Sequence, residues 1–378
     1  MSSEPPIDSA PAEELRQWLR LCLSAGAGPV AVQQMLRAFG PPEAVLEQPE
    51  SRLAAAVGGR LAAGVRHADP RRDAAVEQAL AWAAMPGHAI LTLADPRYPS
   101  ILLRTPDPPP LLYVDGDAAL LGRPMLAVVG SRNATAQGRD TARAFSRALA
   151  EAGFTIVSGL ALGIDAAAHE AALATAAGTV AVLGTGIDLW YPPANRPLAA
   201  SLSDHGCLVS EMPPATPATP GMFPRRNRII AGLAAGVLVV EAARRSGALI
   251  TARQAAELGR EVFAVPGSIH SPMAKGCHQL IREGARLVES AQEILQELQW
   301  TSHGAACGRP GQARTGADDR ASLQPDPVLD ALGFDPAVRD TLCARSRQPA
   351  ATVAAQLASA ELDGIVERLA DGRWARRR

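Results

Sequence analysis

Short, almost wholly apolar runs alternate with helical segments through the middle of this chain. That rhythm predicts an α/β protein built on a doubly wound, Rossmann-like parallel sheet with both faces covered. Two flanking patterns complete the fold class. Helix-spaced apolar residues with frequent alanine up to about residue 84 predict an N-terminal all-α domain. A last helical stretch closing on a glycine turn and a basic end predicts a C-terminal winged helix.

In chain order, residues 1–12 are polar and proline-bearing, and are expected to be disordered. Residues 13–84 begin with Leu15, Trp18, Leu19 and Leu23 at helix spacing. The stretch 25–29, AGAGP, breaks the pattern, and Val32, Met35, Leu36 and Phe39 resume it. A glycine hairpin of this kind either packs two helices or presents N–H groups to a phosphate. Packing is favoured, because no cation flanks the turn until Arg37. Residues 85–123 form a proline-dense connector with a short strand at 89–93 and an edge strand at 111–114.

The Rossmann-like region spans 124–299. Its expected strands are 125–129, 155–157, 180–183, 208–209, 237–240 and 262–265, with 286–288 as a last one. Ligands of such a sheet gather at the carboxyl ends of its strands, here GSRNAT, SGLALGID, GTGIDLWYPP, SEMPP, EAARRSGA and PGS. Residues 300–327 lose apolar period and read as a linker. Residues 328–378 regain it as the winged helix and finish GRWARRR, which reads as a solvated tail before a nucleic-acid contact.

Composition sets outer bounds. The 378 residues, 47% of them apolar, suffice for two or three domains and a sizeable core. A formal charge of -1 means that nucleic-acid binding has to be argued from local clusters of charge. Lys275 is the only lysine, so nearly every cationic site has arginine geometry. Five scattered cysteines without a C-x-x-C indicate a reducing compartment and no zinc site. No signal-peptide pattern opens the chain and no uninterrupted apolar run reaches membrane-spanning length, so a cytoplasmic protein without membrane contact is expected.

Several enzymatic readings fail on their own motifs. The stretch 184–189, GTGIDL, lacks the last glycine of a dinucleotide fingerprint. No G-x-x-x-x-G-K-[S/T] exists, and His169-Glu170 has no second histidine for a metal. There is no G-x-S-x-G elbow either. Asp165 and His169, four apart, could meet as an acid/base pair, but a structural role with Asp165 capping the helix is favoured. No catalytic residue, cofactor or metal is assigned.

Phosphate binding survives this elimination. Gly130, Ser131 and Arg132 follow the first parallel strand, where glycine permits close approach, serine can donate and arginine can fork onto a phosphate. Arg225, Arg226 and Arg228 follow Phe223 and Pro224, reading as a loop that delivers cations to the mouth of a buried helix. The bland alternative, a solvated charge run before a core helix, stands beside that reading. Ser246, Lys275 and Arg196 are further candidates. Arginines with the Phe223 ring suit an unpaired strand, the cations following its backbone and the ring stacking on a base.

Taken in order, GSRNAT, SGLALGIDAAAH, GTGIDLWYPPANRPL, SEMPP, FPRRNRIIAGL, EAARRSGALITARQAAELGREVFAVPGS and KGCHQLIREGA closely resemble the DNA-processing protein A (DprA, or Smf) family of bacteria. The resemblance covers 13–299. It implies a sterile-alpha-motif-like (SAM-like) N-terminal domain and a C-terminal winged helix, matched more loosely at LADGRWARRR. It also implies a non-enzymatic, single-stranded DNA binder that protects incoming strands in natural transformation and loads the RecA recombinase. The implied DNA pocket comprises Gly130, Ser131, Arg132, Phe223, Arg225, Arg226, Asn227 and Arg228, with Arg196, Ser246 and Lys275. The implied homodimer contact comprises His278, Ile281 and Leu287, whose plain reading is core packing. An enzyme on a related sheet, such as a nucleotide-cleaving phosphoribohydrolase, is the second hypothesis. Its P-G-G-x-G-T-x-x-E motif is not found, and Glu211 and Glu241 are expected to hold arginines by ion pairing.

Overall fold

The computed structural model describes residues 12–300, 327–332 and 336–377. The disorder expected at 1–12 and the linker expected at 300–327 therefore fall almost entirely outside the described residues.

Six helices open the chain: α1 (Ala12–Cys22), α2 (Pro29–Phe39), α3 (Pro42–Glu47), α4 (Glu50–Val57), α5 (Gly59–Arg66) and α6 (Pro70–Ala83). Proline begins α2, α3 and α6, where its missing N–H would have had no helical partner in any case. Asp69 caps α6, accepting from the N–H groups of Arg71 and Arg72. Leu21, Val32, Met35, Val45, Leu53 and Leu61 form the core of this unit. Trp18, Leu19, Val76 and Trp82 point the other way, onto Ile90, Tyr113 and Leu208 of the sheet. The helical domain is thus packed against the sheet.

Nine strands build that sheet: β1 (His88–Thr92), β2 (Leu111–Gly116), β3 (Met125–Val129), β4 (Thr155–Ser158), β5 (Thr179–Gly186), β6 (Cys207–Met212), β7 (Gly236–Val239), β8 (Glu261–Ala264) and β9 (Arg286–Leu287). Their order is β1-β2-β6-β5-β4-β3-β7-β8-β9. The strands from β3 onward pair in parallel, consistent with the continuous apolar runs of the central ones. The region expected as a connector is different. β1 pairs with β2, and β2 with β6, antiparallel in both cases. Residues 111–114 therefore lie in an interior strand, and β1 is the edge. The prolines fall between the two strands, around a short helix α7 (Ser100–Leu103), so none has to join the ladder.

Helices α8 (Ala136–Glu151), α9 (Ile164–Leu173), α10 (Arg196–His205), α11 (Met222–Leu233), α12 (Ala248–Glu257), α13 (Lys275–Arg282) and α14 (Ala291–Glu297) follow the parallel strands. Alternate strand residues supply two cores. Ala127, Val129, Val237 and Val239 meet Ile229, Ile230 and Leu249 on one face. Leu126, Val128, Leu238 and Val240 meet Phe145, Leu149 and Ile164 on the other. Trp300, expected to begin the linker, belongs to this second core. Its ring lies 4.1 Å from that of Phe154 and its Nε1 donates to Ala152 O at 2.8 Å.

A separate core of Val328, Leu332, Leu342, Val353, Leu357 and Val366 holds α15 (Pro327–Leu332), α16 (Arg339–Ser346), α17 (Ala350–Leu362) and the hairpin β10 (Val366–Arg368) with β11 (Trp374–Arg376). This is the winged helix. No helix among the described residues is long and apolar enough to cross a membrane.

Candidate nucleic-acid interface

The strand order reverses between β3 and β7, and there the carboxyl edge opens. Ser131 N donates to Glu241 O at 2.7 Å, tying the end of β3 to the end of β7. Gly130 makes that crossing possible, because a Cβ on it would lie 2.6 Å from Ile164 Cγ1 and 2.8 Å from Glu241 O. Ser131 O accepts from Ile164 N at 3.2 Å, and Ser131 Oγ accepts from Asn133 N at 3.1 Å. Gly163 lies against the same turn at φ +83, its absent Cβ only 2.3 Å from Ser131 O. These contacts hold the backbone of Arg132 while its side chain stays exposed.

The guanidinium of Arg132 sits over the Phe223 ring, 5.6 Å from its centre. Phe223 lies in the first turn of α11. Here the structure departs from the expected loop. Phe223 to Arg228 form the opening turns of the helix itself, with Pro224 placed where its missing N–H costs no bond. At about 100° per residue a helix cannot aim successive side chains alike, and the three arginines diverge.

Arg226 turns inward and is 7% exposed. Its Nη1 donates to Gly159 O, just past β4, at 2.7 Å and also to Val182 O within β5. Gly159 N in turn donates to Asp165 Oδ2 at 3.1 Å. Burial lowers the Arg226 pKa to about 10; the Asp165 charge pulls it up and the Arg132 charge pushes it down. The sequence reading placed Arg226 in the DNA pocket; the structure buries it and commits its Nη1 to Gly159 O and Val182 O, which gives it a role in tying the end of β4 to β5.

Arg228 is nearly as enclosed. Its side chain is 12% exposed and pairs with Glu211, while Nη1 donates to Asp107 O at 2.6 Å and Nε lies 3.3 Å from Asp107 Oδ2. Arg225 stays 46% exposed, with its Nε 3.3 Å from Glu211 Oε2. Glu211 therefore holds two arginines, as expected. Glu241 does not. It accepts from Thr135 N at 3.0 Å and from Thr135 Oγ1 at 2.7 Å, and burial pushes its pKa up. Glu367 of the winged helix accepts from Ala136 N at 3.1 Å. Two carboxylates thus occupy the N-terminus of α8, where a nucleotide phosphate of a doubly wound enzyme would sit.

The remaining candidates spread along the edge. Asn227 Nδ2 donates to Gly247 O at 3.3 Å, next to Ser246, whose hydroxyl accepts from Ala248 N at 3.3 Å. Lys275 begins α13 and donates to Ile269 O. Met273, two residues before it, places its Sδ 3.4 Å from Ser131 Oγ. Arg196 begins α10 and lines a groove together with Tyr191. Tyr191 carried no role in the sequence reading, although its ring centre lies 5.5 Å from that of Phe223. Its only signal was an aromatic just beyond a strand end.

Asp165 and His169 are not a pair. Asp165 accepts from Gly159 N and Ala161 N, closing the loop before its own helix. Thr179 Oγ1 donates to Ile156 O at 2.7 Å, so the contact of His169 Nδ1 with that oxygen, also 2.7 Å, has the imidazole donating. Burial, reinforced by Arg226, lowers the His169 pKa to about 3. His278 Nε2 meets Gly267 O at 2.9 Å, Ile281 packs at the rim of the core, and Leu287 is 48% exposed on β9, at the end of the sheet.

The model of the family DNA recombination-mediator protein A matches residues 89–299, and that of the DprA winged helix domain matches residues 312–372. Protein Smf of Escherichia coli K12 is 43% identical over 305 residues, 80% of this chain and 81% of that one. The X-ray structure of DNA processing protein A from Streptococcus pneumoniae superposes with a TM-score of 0.65 at 37% identity, over 76% of this chain and 97% of that one. DNA processing protein A from Helicobacter pylori, solved for its single-stranded DNA binding mode, gives a TM-score of 0.52 at 28% identity, over 57% and 97%.

Proposed function

This chain belongs to the DNA recombination-mediator protein A family, and from that premise we propose that it binds single-stranded DNA along the carboxyl edge of its sheet. In this reading it protects incoming strands in the cytoplasm during natural transformation and delivers them to RecA, acting as a binding protein rather than an enzyme. The observation that carries the proposal is the Arg132–Phe223 stack. It pairs an exposed cation, with no ion-pair partner among the described residues, with a ring at a strand end, the combination that grips a phosphate and a base together. Gly130 and Ser131 hold that stack in place, and Arg225, Asn227, Ser246 and Lys275 extend polar and cationic contacts to either side. The solved H. pylori relative, studied for single-stranded DNA binding, supports the same ligand for this chain.

The enzyme alternative needs an open phosphate site at the strand reversal. Glu241 and Glu367 fill the α8 N-terminus with negative charge, which disfavours it. For dimerisation, β9 is the support. It is a terminal strand hydrogen-bonded on its β8 side, carrying the exposed Leu287 beside α13 with His278 and Ile281.

Oligonucleotide titration of the purified protein tests the proposal. Affinity should rise with strand length, exceed that for duplex and fall with salt. Saturation by a mononucleotide, with no gain from a longer strand, would replace this reading by the enzymatic one.

A further inference from the structure

Beside the Arg132–Phe223 stack lies a groove of about 340 Å³ at the carboxyl end of β5, lined by Leu189, Trp190, Tyr191, Pro193, Arg196 and Pro217 among others. Its two banks are fastened to each other. Gly186 N donates to Thr216 O at 2.8 Å and Ala215 N donates to Asp188 Oδ1 at 2.8 Å, so the opening exists before any ligand arrives. Its lining is unusually apolar for an open surface, with Leu189 40% and Tyr191 44% exposed. Trp190 Nε1 is buried in the wall, and among the described residues it finds no acceptor. Arg196 stands exposed at the rim, and unlike Arg225 and Arg228 it meets no ion-pair partner among the described residues.

Tyr191 joins this groove to the proposed DNA site. Its ring is 5.5 Å from Phe223, whose own ring lies 5.6 Å from the Arg132 guanidinium, so cation, ring and ring run in series toward the groove. We propose that the groove is a second nucleotide subsite, taking the base adjacent to the one stacked at Phe223 and placing its phosphate on Arg196. The inference rests on the single-stranded DNA reading and deepens it. Apolar and aromatic walls suit the faces of a base of any identity. Asp188 lies in the same lining, so the phosphate is directed to Arg196 and the hydrogen-bonding edge of the base toward the carboxylate. Continuity with Phe223 favours the same strand running on.

The test uses the full-length protein with a single-stranded oligonucleotide carrying 5-iododeoxyuridine, irradiated and mapped to the crosslinked residue by mass spectrometry. Crosslinks are expected at Phe223 and also at Tyr191 or Trp190. Arg196→Ala should flatten the slope of log affinity on log salt by about 0.7, the share of one phosphate on a single strand. Tyr191→Ala should weaken binding about tenfold, within the range of one lost base stack. Crosslinks confined to Phe223, together with an unchanged salt slope for Arg196→Ala, overturn the second subsite and leave the first in place. No binding to single strands at all overturns both.

Discussion

Arg132 and Phe223 meet across the edge of the sheet, the guanidinium 5.6 Å from the ring centre, one at the end of β3 and the other in the first turn of α11. Neither belongs to the buried scaffold around them. Arg226, three residues beyond Phe223, is bound into that scaffold through Gly159 and Val182. A functional pair and a structural residue therefore share one short stretch of chain, and substitution should separate them.

Arg132→Ala and Phe223→Ala are expected to lower affinity for single strands while leaving the melting temperature unchanged. Arg132→Ala should also flatten the salt dependence by about 0.7 in slope, whereas Phe223→Ala, which removes a ring and no charge, should leave the slope alone. Fluorescence anisotropy across a salt series, read beside calorimetry, distinguishes the two.

Arg226→Met should behave in the opposite way. It removes the donor to Gly159 O and Val182 O, leaving two buried carbonyls without it, a loss of about 1–3 kcal/mol of stability for each. Arg228→Ala leaves Glu211, whose side chain is 8% exposed, with only the half-exposed Arg225 as its cation, and should also destabilise. Urea unfolding measures both. Stability equal to the parent protein, with lost DNA affinity, would return these arginines to the contact surface.

Gly163→Ala forces a Cβ to within 2.3 Å of Ser131 O in a residue held at φ +83. The turn that carries Arg132 must then move, and the Ile164 N to Ser131 O bond goes with it. Reduced binding together with a lowered melting temperature is expected. Alanine at Gly247, where nothing lies within 4 Å of the added Cβ, should be tolerated.

Buried His169, its pKa lowered to about 3 from 6.5, gives stability a pH dependence. Between those values the unfolded chain binds a proton that the folded chain refuses, so stability is lost as pH falls from about 6.5 toward 3. Asp165, raised by burial, acts in the other direction above its ordinary value of 3.8, because there the folded chain holds the proton more readily. Comparing melting temperature against pH for the parent and His169→Gln isolates the histidine. The substituted protein should show the shallower decline on acidification.

Leu287→Glu places a charge on the terminal strand, where the side chain is already 48% exposed. If β9 pairs two copies of the chain, sedimentation will show the parent as a dimer and this variant as a monomer of unchanged melting temperature. A parent that sediments as a monomer at all concentrations removes the dimer from the proposal.

The central parallel strands were legible because they are buried on both faces and must read as apolar runs; β3 lies at the span its sequence indicated. The order of motifs along the chain likewise carried the family. β2 was misplaced for a physical reason. Leu111 to Gly116 is nearly all buried, but proline-rich flanks mask its neighbours, and only the antiparallel pairing with β6 takes it into the interior of the sheet. The aim of each arginine was not legible at all. Composition set three cations close together, but the helical turn of α11 sent Arg226 to the carbonyls and Arg228 to Glu211. The ring that completes the ladder, Tyr191, arrived from another strand end. Sequence by itself determined the elements and the chemistry available at the sheet edge, because burial and residue type are local properties. Which cation is free to meet a phosphate was decided only by the tertiary structure, since neutralisation depends on partners distant in the chain, Asp165 and Gly159 for Arg226 and Glu211 and Asp107 for Arg228.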